Sequence, residues 1–246
     1  MSRGSAGKES CVSMQLDLDR VRRALLGGGP LGDHDFDMIY PLSIRRVSRR
    51  FWTPLETARR AATLLAGAGA RSVLDVGSGV GKFALVAVAQ VPHLRVVGIE
   101  QRVQLVQIAR TAKAKLTLEN ASFVHGNATD VSWHDFDGLY FYNSFAENLF
   151  DRSDWIDDHV EISRTCFARD VLRTVTALRA TRAGTAVVTF HGSSARMPRS
   201  FELRHQEVSG SGWLRLWIKQ HATDDGSFFV EDGEAIVPHD ASGQRI

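Results

Sequence analysis

Residues 71–100 constrain the chain more than any other stretch. Ser72 to Val76 is a short apolar run of the length that suits a buried strand. Gly77, Gly79 and Gly81 follow at once. Phe83 to Ala89 is apolar all round, as expected of a helix buried against a sheet. Pro92 and His93 stop that helix. Leu94 to Ile99 reads as a second strand with Glu100 at its carboxyl end. Strand, glycine loop, helix, strand and acid make one βαβ unit of a parallel sheet. Such sheets bind ligands at the carboxyl ends of their strands.

The spacing of the glycines narrows the ligand. Gly77 allows a tight turn out of the strand, Gly79 lets a ligand lie on bare backbone, and Gly81 allows the helix to pack closely. Glu100 follows at about the separation from which an acid reaches ribose hydroxyls over the loop. A P-loop needs a glycine five residues before its Gly-Lys pair and a Ser or Thr after it. Val76 and Phe83 occupy those positions. A dinucleotide fingerprint needs its third glycine where Lys82 stands. Asp75, two residues before the first glycine, repels a pyrophosphate and suits a cationic ligand.

These residues resemble the class I S-adenosylmethionine-dependent methyltransferases. The first motif of that superfamily is an acid, one residue and GxGxG, followed by an acid that ends the second strand. Asp75 to Gly81 and Glu100 match it without a gap. S-adenosylmethionine carries a sulfonium, an ammonium and ribose hydroxyls but no phosphate, in keeping with an acidic loop. The resemblance implies an α/β fold, a doubly wound, mostly parallel seven-stranded Rossmann-like sheet with an antiparallel C-terminal hairpin. It implies S-adenosylmethionine as cofactor. It also implies cofactor contacts from Asp75, Gly77, Ser78, Gly79, Gly81, Glu100 and Gln101. A dinucleotide-dependent oxidoreductase, and a module that binds S-adenosylmethionine without transferring its methyl, are the competing classes.

Composition sets the setting. The chain has 246 residues, 43% hydrophobic and 24% charged, which suits one domain with terminal extensions. The expected division is an N-terminal tail and helical segment at 1–50, a cofactor-binding domain at 51–220 and an extension at 221–246. No apolar run has the length of a membrane span, and the amino terminus lacks the apolar stretch of a signal peptide. Cys11 and Cys166 lie far apart without redox or metal spacing, and the nine histidines show no ligand spacing. The expectation is a cytoplasmic protein with reduced thiols and no metal. A net charge of +2 indicates no polyanionic partner.

The remaining elements follow in order. Residues 1–12 read as a tail, and Ser13 to Leu26 as a helix that Gly27-Gly28-Gly29-Pro30 ends. Asp33 to Tyr40 reads as a loop. Arg45, Arg46, Arg49 and Arg50 make a solvated helix face, or else a grip on an acidic or nucleic-acid-associated substrate. Thr53, Pro54 and Glu56 suit the cap and first turn of an Ala-rich helix. In the resembled superfamily this region folds over the methionine end of the cofactor. A helix from Arg102 to Leu116 directs Val103, Val106, Ile108 and Ala109 inward, and Ser122 to His125 is the third strand. Asn127, Ala128 and Asp130 follow, where the superfamily carries an acid for the adenine amino group. Asn127 can accept through its amide oxygen.

Asp137 to Tyr142 is the fourth strand, ending in Asn143-Ser144-Phe145-Ala146. A methyl acceptor approaches at this strand end. Asn143 orients an amine through its oxygen; Tyr142 and Phe145 face the departing methyl, or else pack the strand end. Asp75 to Gly81, Gly98 to Glu100 and Asn143 to Ala146 are similar to the non-SET lysine methyltransferases of the disruptor-of-telomeric-silencing type, and so is Glu56-Thr57. That likeness covers about residues 51–150 and implies a lysine or small-amine acceptor. Asp151 to Asp158 is a lid or a solvated connector. Thr165 to Ala180 is a helix, Thr185 to Phe190 a fifth strand, and Phe201 to Val208 with Trp213 to Lys219 a hairpin. Phe228 to Val237 holds a further small hairpin.

Overall fold

The computed structural model describes residues 18–27, 29–191, 196–210 and 212–222. The tail at 1–12, the beginning of the first helix at Ser13, Cys11 and the small hairpin at 228–237 lie outside these residues. A first helix, α1, is described from 18 to 26, and α2 (Asp33–Asp37), α3 (Leu42–Phe51) and α4 (Leu55–Gly67) precede the sheet. Then β1 (Ser72–Val76), α5 (Lys82–Gln90), β2 (Arg95–Glu100), α6 (Val103–Leu116), β3 (Ala121–His125) and β4 (Gly138–Tyr142) follow. The described chain closes with α7 (Arg164–Ala180), β5 (Ala186–Phe190), β6 (Phe201–Ser209) and β7 (Gly212–Lys219).

Seven strands form one sheet in the order β3-β2-β1-β4-β5-β7-β6, with the first five parallel and β7 antiparallel to both β5 and β6. The central strands are apolar on both faces because helices cover both. Val73, Tyr140 and Val188 point to a core shared with α4, α5 and α6. Their neighbours Leu74, Leu139 and Val187 point to a second core with Trp133 and Leu178 of α7. The strand order changes direction between β1 and β4, and the site sits at their carboxyl ends. No helix among the described residues is long and apolar enough to cross a membrane.

Three local expectations are corrected. Asp33 to Asp37 is helical and not a loop; Phe36 is fully buried, and the Asp33 carboxylate accepts from the backbone N–H of Leu55 at 2.9 Å. That contact caps α4, so Thr53 does not; Tyr140 instead donates its hydroxyl to Thr53 Oγ1 at 3.2 Å. On α6 the inward stripe is Leu105, Val106, Ala109, Ala112 and Leu116, while Val103 is exposed. The helix begins at Val103, and its phase is set by packing on β2 and β3, which periodicity over a few apolar residues does not resolve.

A buried lysine finishes α7. Lys219 of β7 donates its ammonium to the carbonyls of Leu178, Arg179 and Thr181 at 3.2, 2.5 and 2.7 Å. A cation at a helix carboxyl end satisfies free carbonyls and meets a favourable dipole.

The loop between β1 and α5 is held by exclusion. Gly77, Gly79 and Gly81 all have positive φ (74, 55 and 78°). A Cβ on Gly81 would lie 2.4 Å from the Phe123 ring, so this glycine sets how closely α5 approaches β3. Gly81→Ala is expected to destabilise the protein by about 2–4 kcal/mol, from backbone strain and overpacking together. Urea unfolding monitored by circular dichroism measures it.

Candidate active site

A cavity opens at the carboxyl ends of β1, β2 and β4, and Glu100 anchors its floor. Its Oε2 accepts from the Gly79 N–H at 3.1 Å, and its Oε1 from the Arg102 N–H at 2.9 Å. One carboxylate thereby ties the glycine loop to the end of β2. The Gln101 N–H also favours the ionised carboxylate, which still has lone-pair capacity for a further donor. Burial raises the Glu100 carboxyl above its ordinary value, against the opposing pull of the Arg102 N–H and guanidinium. Gly77 and Gly79 line the cavity beside it. A Cβ on Gly77 would meet nothing within 4 Å, so bare backbone opens on the cavity there, whereas Gly79 is covered by the Trp52 ring.

Gln101, Asn127 and Ala128 line the far end. Asn127 caps a short 3-10 turn, and its Oδ1 accepts from both the N–H and the hydroxyl of Thr129, at 3.0 and 2.8 Å. Its oxygen is therefore engaged, and its NH2 group is the side that remains for a ligand. Asp130 is not among the lining residues.

At the end of β4, Tyr142, Asn143 and Phe145 line the same cavity. Asn143 and Phe145 hold left-handed backbone, φ 47 and 70°, a conformation uncommon for residues with side chains. The turn is pinned: the Asn143 N–H bonds the Phe190 carbonyl at 3.0 Å, and Ser144 Oγ donates to the Val76 carbonyl at 3.0 Å. Tyr142 stacks on Phe190 with centroids 5.6 Å apart.

Five sequence-derived site residues stand elsewhere. Glu56 lies on the outer face of α4 with its side chain 84% exposed, beside Arg59. The α4 stripe that packs on α5 is Ala58, Ala61, Ala62 and Leu65, which turns position 56 to solvent. Thr53 is buried against Tyr140. Ser78 turns under the loop toward Gly98, where a Cβ would lie 2.6 Å from its hydroxyl. Gly81 packs on Phe123, away from the cavity.

Asp75 is likewise beneath the loop. Its Oδ2 has no hydrogen-bond partner among the described residues. Burial, and then the charge of Glu100, raise its carboxyl from 3.8 to about 8, against the Ala84 N–H that favours the ionised form.

The fold assembles a second group that no spacing in the sequence marks. Arg102, almost fully buried, pairs with Glu147 at 3.0 Å and Asp157 at 2.9 Å. Glu147 Oε1 also accepts from the Ile156 N–H at 2.7 Å, and burial raises its carboxyl. The acidic segment 151–158 is thus fastened to the cavity wall, with a further pair between Arg50 and Asp154 at 2.5 Å. Phe51, Trp52 and Phe150 complete an aromatic side of the cavity.

A doubly wound sheet in this order, with a glycine loop after β1 and an acid ending β2, defines the methyltransferase class of nucleoside-binding α/β proteins. The sequence family described as "Methyltransferase domain" matches residues 69–193, about half of the chain, and the chain belongs to that family. It is an S-adenosylmethionine-dependent methyltransferase, with S-adenosylmethionine as its cofactor. Among solved structures, it is similar to a presumed O-methyltransferase from Klebsiella pneumoniae (15% identity, 84% of this chain and 99% of the other, TM-score 0.52). It is also similar to an RNA methyltransferase from Salinibacter ruber in complex with S-adenosyl-L-homocysteine (18% identity, 70% and 96%, TM-score 0.48). The first likeness bears on the fold alone. No curated protein matches the chain in sequence.

The raised Asp75 carboxyl makes stability depend on pH. Between about pH 4 and pH 8 the native state holds a proton that the unfolded chain has released, so stability falls as pH rises through that window. The urea midpoint is therefore expected to drop from pH 6 to pH 9, and Asp75→Asn is expected to shrink the drop.

Proposed function

We propose that this methyltransferase acts on the nitrogen of an amine, either a protein lysine or a small amine. The observation that carries the reading is Asn143. It ends β4 in a pinned left-handed turn and lines the cavity between two aromatic residues, Tyr142 and Phe145. Its amide oxygen suits an N–H donor and orients it without itself acting as a base. Phe51, Trp52, Phe150 and the carboxylate Glu147 line the same cavity, a combination that favours a cation or a partly charged nitrogen. The likeness of residues 51–150 to the non-SET lysine methyltransferases supports the same class of acceptor.

The cofactor supplies an electrophilic methyl group on a sulfonium that leaves as a neutral thioether. The chain aligns the partners and excludes water. In this reading Glu100 receives the ribose hydroxyls on its free lone pairs, and Gly77 offers bare backbone. Gln101, Asn127 and Ala128 bound the adenine end, with Asn127 donating through its NH2. Asp75, Ser78 and Gly81 act by shaping the loop, and Thr53 by fixing the start of α4. Glu56, turned to solvent, takes no part. Asn143 orients the acceptor nitrogen with its lone pair toward the methyl. The attacking nitrogen is neutral, and Glu147, fixed by Arg102, can take the proton it sheds.

Two variants and one product analysis test this. Glu100→Gln keeps the shape but replaces one acceptor oxygen with a donor, and is expected to weaken S-adenosylhomocysteine binding roughly tenfold or more. Asn143→Ala is expected to lower kcat by about 10- to 100-fold with cofactor affinity little changed, because the lost contact is to the acceptor. Mass spectrometry of the product identifies the methylated atom. A methyl on oxygen or carbon, or full turnover by Asn143→Ala, would reject the amine reading.

A further inference from the structure

Lys82 is the first residue of α5, directly after Gly81, and its side chain is only 2% exposed. This is an unfavourable place for a buried cation. A helix amino terminus presents partial positive charge, which repels an ammonium. Lys219, the buried lysine at the carboxyl end of α7, needs only carbonyls; Lys82 needs acids. Two are provided from another part of the chain. Its Nζ lies 2.6 Å from Asp33 Oδ1 and 2.8 Å from Asp37 Oδ1, both on α2. Ser48 of α3 holds the other Asp37 oxygen at 2.5 Å, and Asp33 also caps α4 through the Leu55 N–H. The four groups join α2, α3 and α4 to the end of the glycine loop.

What they join is the outer wall of the cofactor cavity. Phe51 and Trp52 end the 33–52 segment and line that cavity. The Trp52 ring lies directly on Gly79, within 2.5 Å of where a Cβ would stand, and its Nε1 donates to the Ile44 carbonyl at 3.3 Å. Trp52 also borders a second cavity of about 370 Å³, walled by Asp33, Asp37, Ser48, Arg45 and Arg49. One indole thus borders both the cofactor cavity and this second one, and the lysine cluster holds the segment that carries it.

We propose that Lys82 is a positioning residue for the cofactor: it fastens residues 33–52 across the glycine loop and so sets how tightly and how long S-adenosylmethionine is held. Moving this segment away would leave Lys82 unpaired at a helix amino terminus and Asp37 without its cation, a strongly unfavourable arrangement. Closure and an intact loop are therefore coupled. Cofactor exchange proceeds by release of this segment, with Trp52 moving off Gly79. The inference rests on the glycine-loop cavity as the cofactor site and is independent of the acceptor.

Lys82→Met tests it, since methionine fills much of the volume without the charge, with Asp37→Asn as a milder second variant. Wild-type protein is expected to bind S-adenosylhomocysteine and, when saturated, to resist trypsin at Arg45, Arg46, Arg49 and Arg50. Either variant is expected to bind S-adenosylhomocysteine at least tenfold more weakly through faster dissociation, read by stopped-flow tryptophan fluorescence. Cleavage between residues 45 and 50 is expected to quicken, and saturating ligand is expected to protect less. The KM for S-adenosylmethionine should rise while kcat at saturating cofactor stays within about twofold, a split that general destabilisation would not produce. Failure of the wild-type protein to bind the ligand would overturn the cavity assignment and this proposal with it. Binding by the wild type with affinity and dissociation unchanged in a folded variant would overturn the lysine's role alone. Wild-type cleavage that ligand leaves unaltered would do the same, even if neither variant folds.

Discussion

The site depends on one buried carboxylate. Glu100 bonds the N–H of Gly79 on one side and the N–H of Arg102 on the other. The first bond fixes the glycine loop over the sheet. The second sets the start of α6 and, through the Arg102 side chain, the position of Glu147 and Asp157. Loop, helix and the 151–158 segment therefore share a single anchor at the end of β2. A carboxylate in this place is costly to bury, and its raised protonation equilibrium reflects that cost. Backbone donors on both oxygens offset it and leave the remaining lone pairs oriented.

Legibility in the sequence followed the range of the interactions involved. The βαβ unit at 71–100 was readable because its signals are local: apolar runs, turn-forming glycines, an acid at a strand end. The seven-stranded, mostly parallel sheet with its antiparallel C-terminal hairpin was readable only through the family resemblance, and the structure bears it out. Gly77, Gly79, Glu100, Gln101, Asn127, Ala128, Tyr142, Asn143 and Phe145 do line one cavity. Their roles in it remain proposals.

The misses were tertiary. Glu56 carries a suggestive residue type, but its direction depends on which α4 stripe packs on α5, and alanines on both sides hide that choice. Asn127 looked free to accept until the turn after it consumed its oxygen. Arg102 lies 45 and 55 residues from the acids it pairs with, so no spacing rule marks the group. In the sequence Lys82 stands out only as a missing glycine. Its partners lie in a five-residue helix whose local signal is too short to distinguish from a loop.

The far edge of the sheet is tied to an early helix. Arg60 of α4 makes a two-pronged bond to Glu207 of β6, at 2.5 and 2.9 Å, and Thr57 meets Ser209 at 2.8 Å. These partners are 147 and 152 residues apart in the chain. During synthesis α4 leaves the ribosome long before the strand that receives it. Its ionic face must stay solvated until β7 has paired with β5 and carried β6 into place. A nascent chain cut short before residue 200 would keep the whole parallel core yet lack this fastening, with the outer edge of β5 open to pairing with another chain.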